Sequence, residues 1–597
     1  MEEKKETTLK TIIFNNFFII RIIWKLSKIR FLIKSVMTLF SAVFPVVNIL
    51  LMRYIIFLME NRNELSLDGA NTIYAVIIAL VAMQVLPRLL AIWNGSLIEP
   101  LLAARINNYI NEVFIDKSKI FAYKDFENPK FYDKYTRSLS QAETLPHAVF
   151  NSFFQLLSCI INLLLLATVI VSLDPIVLIF IVIGAVLNLI QSTVSGKLGF
   201  NTKQKLTPFS RQQSYIKRIL FNPEWAKDIK CNDIISTGKK YYVSAVKGII
   251  EILKKYGIII ALINTVVILL SSISTTVVFI ILFTNIWKGI YTIADFSALT
   301  SSTNQFEAAL NSFFNSLVAF YNNSLEIDNF KFVYLYENDS EEGFHVYNPN
   351  IPTKIEFKNV SFKYPGSKLY ALKNVSLTIN PGEKVSLVGL NGCGKSTLVK
   401  LIMGLYEATE GEIFINDINI LDYKRDTIQM GVGAVFQEHT VYAFDVKENI
   451  AFEGVISKQA LHTLEELNIY NKLESLPKGF STHLSKEFDA EGTNLSGGEI
   501  QKICISRALN KTSGLYIFDE PTSALDPLSE YSTNTVMIDS SHQTTIIVSH
   551  RLSTTVMVNR VLFFENGMLT EQGSHEDLLR LNGKYAKLFY VQAKNYK

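Results

Sequence analysis

Cysteine is scarce in this chain and forms no pattern. Cys159, Cys231, Cys393 and Cys504 are scattered over 597 residues, in stretches assigned below to membrane or cytosol, so no disulfide framework is implied. Net charge is equally thin. At +4, with Lys and Arg spread along the chain, there is no basic patch of the kind that holds nucleic acid, which argues against nucleic acid as a partner. The start, Met1-Glu2-Glu3-Lys4-Lys5-Glu6, lacks a short apolar core with a small-residue cleavage site, and no removable signal peptide is expected. Internal repeats and low-complexity tracts are missing too. Only 19% of residues are charged while the mean hydropathy is +0.23, a balance foreign to soluble enzymes and expected of a chain partly dissolved in lipid. Such a length exceeds the roughly 250 residues at which single cores stop growing, so at least two domains are expected.

What is present begins with residues 11–30, where bulky apolar side chains alternate with Arg21, Lys25, Lys28 and Arg30, a pattern suited to an amphipathic helix on the inner membrane surface. A spanning helix needs ~20 mainly apolar residues. Six stretches qualify, at about 31–59, 70–93, 146–172, 175–195, 257–284 and 290–320. An even number puts both termini on one side. The segment after the second span carries Lys117, Lys119, Lys124, Lys130, Lys134 and Arg137, and the one after the fourth carries Lys203, Lys205, Arg211, Lys217, Arg218, Lys227, Lys230, Lys239 and Lys240. The connection at Leu173-Asp174-Pro175 has no basic residue, and the other two offer mainly Arg62 and Lys288. Short basic loops stay inside, so both termini are expected in the cytoplasm of a cell-membrane protein surrounded by lipid. The basic segments keep apolar residues at helical spacing and should prolong the spans into the cytosol.

Near Tyr336-Glu337-Asn338-Asp339-Ser340-Glu341-Glu342-Gly343 the chain turns acidic and loses its periodicity, which marks a linker. The expected division is a transmembrane domain over 1–335, a linker over 336–352 and a nucleotide-binding domain over 353–597. In the last of these, Ile355-Glu356-Phe357-Lys358-Asn359-Val360 alternates as a strand, and Leu515 to Phe518 and Thr545 to Val548 read as buried parallel strands. The fold class is therefore α-helical membrane domain followed by an α/β P-loop domain.

Everything turns on the stretch Lys384-Val385-Ser386-Leu387-Val388-Gly389-Leu390-Asn391-Gly392-Cys393-Gly394-Lys395-Ser396-Thr397, an apolar strand that breaks into a glycine-rich loop and restarts as a helix. Gly389, Gly394, Lys395 and Ser396 satisfy G-x-x-x-x-G-K-[ST]. Glycines let backbone N–H groups of the loop, with Asn391, Gly392, Cys393 and Thr397, face an anion, and the helix end adds its positive dipole. Lys395 can reach the β- and γ-phosphates and the Ser396 hydroxyl can ligate Mg²⁺. The backbone N–H groups and Lys395 should also favour the thiolate of Cys393. Leu515-Tyr516-Ile517-Phe518-Asp519-Glu520 ends a buried strand in two carboxylates, Asp519 placed to hold Mg²⁺ and Glu520 to polarise water. Leu495-Ser496-Gly497-Gly498-Glu499 is an S-x-x-E capping box whose two glycines bare a second helix end.

Taken together these motifs resemble the ABC transporters of exporter type, and the resemblance covers the whole chain: six membrane helices and then one ATPase. Phe126-Glu127-Asn128-Pro129-Lys130-Phe131-Tyr132-Asp133 and Asn222-Pro223-Glu224-Trp225-Ala226-Lys227-Asp228-Ile229 are similar to the family's two intracellular loops, whose coupling helices dock on the ATPase. Ser496 to Glu499 resembles the signature that contacts ATP on the opposite subunit, with Glu499 in place of the commoner glutamine. The resemblance further implies that Tyr364 stacks on adenine, that Gln437 contacts Mg²⁺ and water, that Ser523-Ala524-Leu525-Asp526 crosses the dimer interface, and that His550 braces the γ-phosphate and Glu520. ATP and Mg²⁺ are the implied cofactors, and a second half-transporter the implied partner. The complete set of Glu520, His550, Gln437 and signature points to a homodimer, with a heterodimer as the alternative.

Polar residues recur at helical spacing in two spans, Asn151, Gln155, Ser158 and Asn162 in the third and Asn304, Glu307, Asn311 and Asn315 in the sixth. Such stripes avoid lipid and serve either as glue between helices or as the lining of a watery cavity. A lining with two copies of Glu307 would favour a polar or cationic cargo, a peptide or an amphipathic drug-like molecule as in the Gram-positive exporters this chain resembles. A lipid flippase and an ATP-gated conduit or sensor are the alternatives; an importer fits the fused domain order poorly.

Overall fold

The computed structural model describes residues 8–61, 67–222, 225–337, 343–452, 454–522, 525–539, 542–549 and 551–594. It falls into two compact units, one of Met1–Ile120 with Asp133–Tyr336 and the other of Phe121–Tyr132 with Glu337–Lys597. The boundary near Tyr336 coincides with the acidic linker, and the short inserted segment Phe121–Tyr132 groups with the second unit.

Among its described residues the first unit has helices and no strand. Its long members are Lys28–Glu60, Leu67–Trp93 continuing through a π turn into Glu99–Ile120, Thr144–Leu173, Pro175–Phe221, Ile234–Trp287 and Ile293–Tyr334. Several begin where the sequence offers a cap, although Thr144–Leu173 starts without a side-chain bond from Glu143. Asp174 accepts from the Ile176 N–H at 2.9 Å with Pro175 in the first turn, and Thr292 closes a capping box with Asp295. At ~1.5 Å per residue the 54-residue helix Ile234–Trp287 far exceeds ~30 Å of hydrocarbon, so the basic segments do prolong the spans as helices. Five helices among the described residues are long and apolar enough to cross a membrane. The sixth, Ile293–Tyr334, is helical throughout, and its stripe of Asn304, Glu307, Asn311 and Asn315 lowers its hydropathy below that of the others. Large apolar side chains such as Ile78, Leu164, Ile183, Leu262 and Phe283 stand on the outside, as lipid-facing residues must.

One expectation changes. The first helix, Leu9–Leu26, packs onto Ile293–Tyr334: Asn15 Nδ2 donates to Ser324 O at 3.1 Å and Asp328 Oδ1 at 2.9 Å, and Asn16 Nδ2 to Phe320 O at 2.9 Å. Ile19, Ile20 and Ile23 are buried while Phe14, Phe17 and Trp24 remain exposed. The buried face thus answers a helix, and only the remainder is free for a membrane surface, because two asparagines at adjacent positions find backbone and side-chain partners there.

Among the described residues the second unit holds ten strands: β1 (Ile355–Phe362), β2 (Leu372–Ile379), β3 (Lys384–Gly389), β4 (Glu410–Ile415), β5 (Ile418–Asn419), β6 (Gly433–Val435), β7 (Leu515–Asp519), β8 (Thr544–Val548), β9 (Arg560–Glu565) and β10 (Met568–Gly573). An antiparallel sheet runs β2-β1-β4-β5, and a mainly parallel one runs β10-β9-β3-β8-β7-β6. β7 and β8 are buried at every position, which is why they read as unbroken apolar runs. β8 lies between β3 and β7, so the loop after β3 and the carboxylates after β7 emerge on the same edge, where parallel sheets bind ligands.

Candidate active site

The glycine loop leaves β3 at Gly389 and ends at Gly394, where the helix Lys395–Ile402 starts. Gly394 has φ 106°, and a Cβ there would stand 2.7 Å from Leu372 Cδ2 and 2.8 Å from Ala371 O, so no other residue fits. A side chain at Gly389 would likewise strike the Phe564 carbonyl and the Cys393 sulfur. Lys395 is buried, and its Nζ donates to the carbonyls of Gly389 at 2.9 Å and Leu390 at 3.1 Å. Its ammonium is thus held inside the curve of the loop. Cys393 is also buried, with its sulfur 3.8 Å from Lys395 Nζ.

A cavity of ≈ 490 Å³ opens over this loop, lined by Tyr364, Ala371, Asn391, Gly392, Gly394, Lys395, Ser396, Thr397, Gln437 and Glu520. Three sequence-distant pieces meet here. Gln437, just beyond β6, donates from Nε2 to Glu520 Oε2 at 3.1 Å. Tyr364, between β1 and β2, shares a 3.0 Å hydroxyl–hydroxyl bond with Thr397. Asp519 is buried at the end of β7, and the Glu520 N–H donates to Val548 O at 3.0 Å, which ties the two carboxylates to β8. Ser396 and Gln437 line the cavity, whereas Asp519 is buried at the end of β7 and is not among its lining residues.

Ser496 does cap the helix Gly497–Leu509: its N–H donates to Glu499 Oε2 at 2.9 Å in a closed capping box, an arrangement worth ~1 kcal/mol. Burial works to raise the Glu499 carboxyl, but the bonds from Lys472 and Ser496 hold it below the usual carboxylate range. Asp526 caps the next helix, accepting from Leu528 and Ser529 N–H at 3.1 Å each. Ser496, Gly497, Gly498, Glu499 and Asp526 do not line the cavity over the glycine loop. His550, Ser523 and Ala524 lie outside the described residues.

Sequence reasoning missed Ala371, whose place on the cavity wall no motif announces. It also missed Lys400 and Tyr406, which bind Glu127 of the segment Phe121–Tyr132. The only available signal was their position five and eleven residues after Lys395, Lys400 on the loop's helix and Tyr406 just past its end. The other loop, with the short helix Ala226–Cys231, belongs to the helical unit and is largely exposed; its Pro223 and Glu224 lie outside the described residues.

Comparison with known proteins agrees with this geometry. The ABC transporter family matches residues 372–523. The subtilin transport ATP-binding protein SpaT of Bacillus subtilis is 28% identical over 632 residues, covering 100% of this chain and 97% of that protein. An ATP-dependent lipid A-core flippase of Coxiella burnetii is 38% identical over 242 residues, 40% of this chain and 40% of its own length. The solved structure of a bacterial Atm1-family ABC exporter with ATP bound has the same fold, with a TM-score of 0.74 at 21% identity over 94% of this chain and 98% of that one. With the loop, the carboxylates and the apolar helices each in place, residues 372–523 form an ABC transporter ATPase domain, and the chain as a whole is similar to bacterial ABC exporters, with a helical domain ahead of that ATPase.

Proposed function

We propose that two copies of this chain form an exporter that carries an amphipathic peptide or drug-like molecule out across the bacterial cytoplasmic membrane. The observation that carries the ATPase half is the meeting of Glu520, Gln437 and the Lys395 loop around one cavity. In this reading Glu520 accepts a proton from the attacking water, Gln437 orients that water, and Lys395 leaves the loop carbonyls to neutralise the γ-phosphate. Tyr364 stacks on the base. Ser396, Asp519 and Gln437 would hold Mg²⁺, which supplies charge neutralisation of the phosphates. Ser496 to Glu499 and Asp526 would face the ATP of the second chain, which fits their absence from this chain's own cavity. Closure on ATP and release on hydrolysis would then drive the helices between inward-open and outward-open states.

For the cargo, the full-length likeness to a subtilin transporter supports a peptide over a lipid, since the likeness to flippases covers only 40% of that chain. The helical unit adds a second support. Asn304, Asn311 and Asn315 are exposed along Ile293–Tyr334, and Glu307 lines a small cavity with Ser271, Ser274, Thr275 and Thr303. A polar face left open within one chain suits a watery pathway. The basic loops support a cytoplasmic side for the termini and the ATPase. The test is uptake into inside-out vesicles: ATP-dependent accumulation of a fluorescent amphipathic cationic peptide, absent with Glu520→Gln, is expected. Flipping of a labelled phospholipid without peptide uptake, or neither, would overturn the peptide reading.

A further inference from the structure

Lys400 sits on the same short helix as Lys395, one turn on. Its ammonium lies 5.3 Å from the ring centroid of Tyr123, 5.5 Å from that of Tyr364 and 5.7 Å from that of Tyr406, and its Nζ is 3.5 Å from Glu127 Oε1. The Tyr406 hydroxyl donates to the other oxygen of Glu127. The rings also touch one another edge to face, Tyr123 and Tyr364 each against Tyr406 at centroid distances of 5.7 Å and 5.4 Å. A lysine held on three aromatic rings and closed by a carboxylate is a cage, and its walls come from three places in the chain. Tyr123 and Glu127 belong to the inserted segment Phe121–Tyr132, Lys400 and Tyr406 to the region following the phosphate loop, and Tyr364 to the β1–β2 connection.

Charge agrees with geometry. Burial works to raise the Glu127 carboxyl, but Tyr406 and Lys400 hold it below the usual range; burial works to lower the Lys400 ammonium, but its tyrosine and glutamate neighbours hold it above. The pair is therefore ionised at neutral pH. One wall has a second duty, because Tyr364 also lines the nucleotide cavity and bonds Thr397 of the loop helix.

We propose that Lys400 is a positioning residue that couples the base site to the inserted segment: its cage of Tyr123, Tyr364, Tyr406 and Glu127 makes stacking of an adenine on Tyr364 and seating of Phe121–Tyr132 a single event. The proposal rests on reading the cavity as the ATP site. A base fixes the Tyr364 ring, a fixed ring holds the ammonium, and the ammonium holds Glu127 and Tyr123. Linkage makes the effect reciprocal, so a well-seated segment also favours the base.

The experiment is hydrogen exchange of the full-length protein in lipid nanodiscs, with and without a non-hydrolysable ATP analogue, beside a titration of the same analogue. In the wild type the amides of 121–132 should exchange about fivefold or more slowly with nucleotide, the low end of ordinary coupling. Lys400→Met should still bind the analogue but show less than about a twofold response, and Lys400→Arg, which can stack on the same rings, should restore it. Glu127→Gln, a milder change, should weaken the response in the same direction. An unchanged response in Lys400→Met, or exchange raised equally with and without nucleotide as for mere packing, would overturn the coupling. Nucleotide bound by the wild type without protection of 121–132 overturns this proposal alone, whereas no binding at all overturns the site reading with it.

Discussion

Glu520 has a left-handed backbone, φ 51°, which a non-glycine residue adopts at a cost of about 1–3 kcal/mol. The strain is held by the bond from its N–H to Val548 and sets the carboxylate where Gln437 meets it. Glutamine tolerates the same backbone, so Glu520→Gln should keep the fold and bind ATP while losing turnover by about 10²–10⁴-fold, the usual worth of a general base. Phosphate release and trapped nucleotide measure the two halves; near-normal turnover would remove Glu520 from the role. The two carboxylates were legible because an apolar strand ending in acids is a local pattern. Their partner Gln437 lies 83 residues away and was placed only by family likeness. The loop brings the buried Cys393 to Lys395, its sulfur 3.8 Å from the ammonium.

At the scale of elements, β3 begins with a half-buried lysine. Burial pushes Lys384 down to about 8, against a smaller opposing pull from Asp539, and its Nζ donates to Gln543 O at 2.7 Å and Thr545 Oγ1 at 3.1 Å. An unfolded lysine keeps its proton to about pH 10.4. Between those values the unfolded chain binds more protons than the native one, so this group's contribution to stability rises with pH; below pH 8 its burial penalty is complete. Thermal melting of the purified protein from pH 7 to 9.5 should therefore move in favour of the wild type relative to Lys384→Met as pH rises. Parallel curves would show that Lys384 stays protonated in the fold. The strands themselves were readable from apolar runs, but which strand neighbours which was not, since β3 pairs with β8 and β9, more than 150 residues onward.

For the whole molecule, the two inserted loops part company. Phe121–Tyr132 groups with the ATPase unit of its own chain, while the loop with Ala226–Cys231 groups with the helices and leaves Lys227 and Asp228 exposed. A second ATPase would give that loop a docking surface, as a second chain would give Ser496 to Glu499 an ATP to contact. Purified without any other half-transporter, the chain should run as a particle of two identical copies that hydrolyses ATP cooperatively in lipid. Activity that appears only on co-expression with a different half-transporter would mean a heterodimer.

The sequence by itself determined the order of the parts: apolar helices, acidic linker, glycine loop, capped helix and acid-ended strand each announce themselves within about twenty residues, because backbone sterics, helix capping and transfer from water act locally. Tertiary structure decided what those parts do together. The Gln437–Glu520 bond, the seating of Asn15 and Asn16 on the last long helix, and the Lys400–Glu127 pair at the centre of the tyrosine cage join residues 83 to more than 300 positions apart. Nothing in the spacing of such residues encodes their meeting, since it depends on which strands pair and which helix faces are buried.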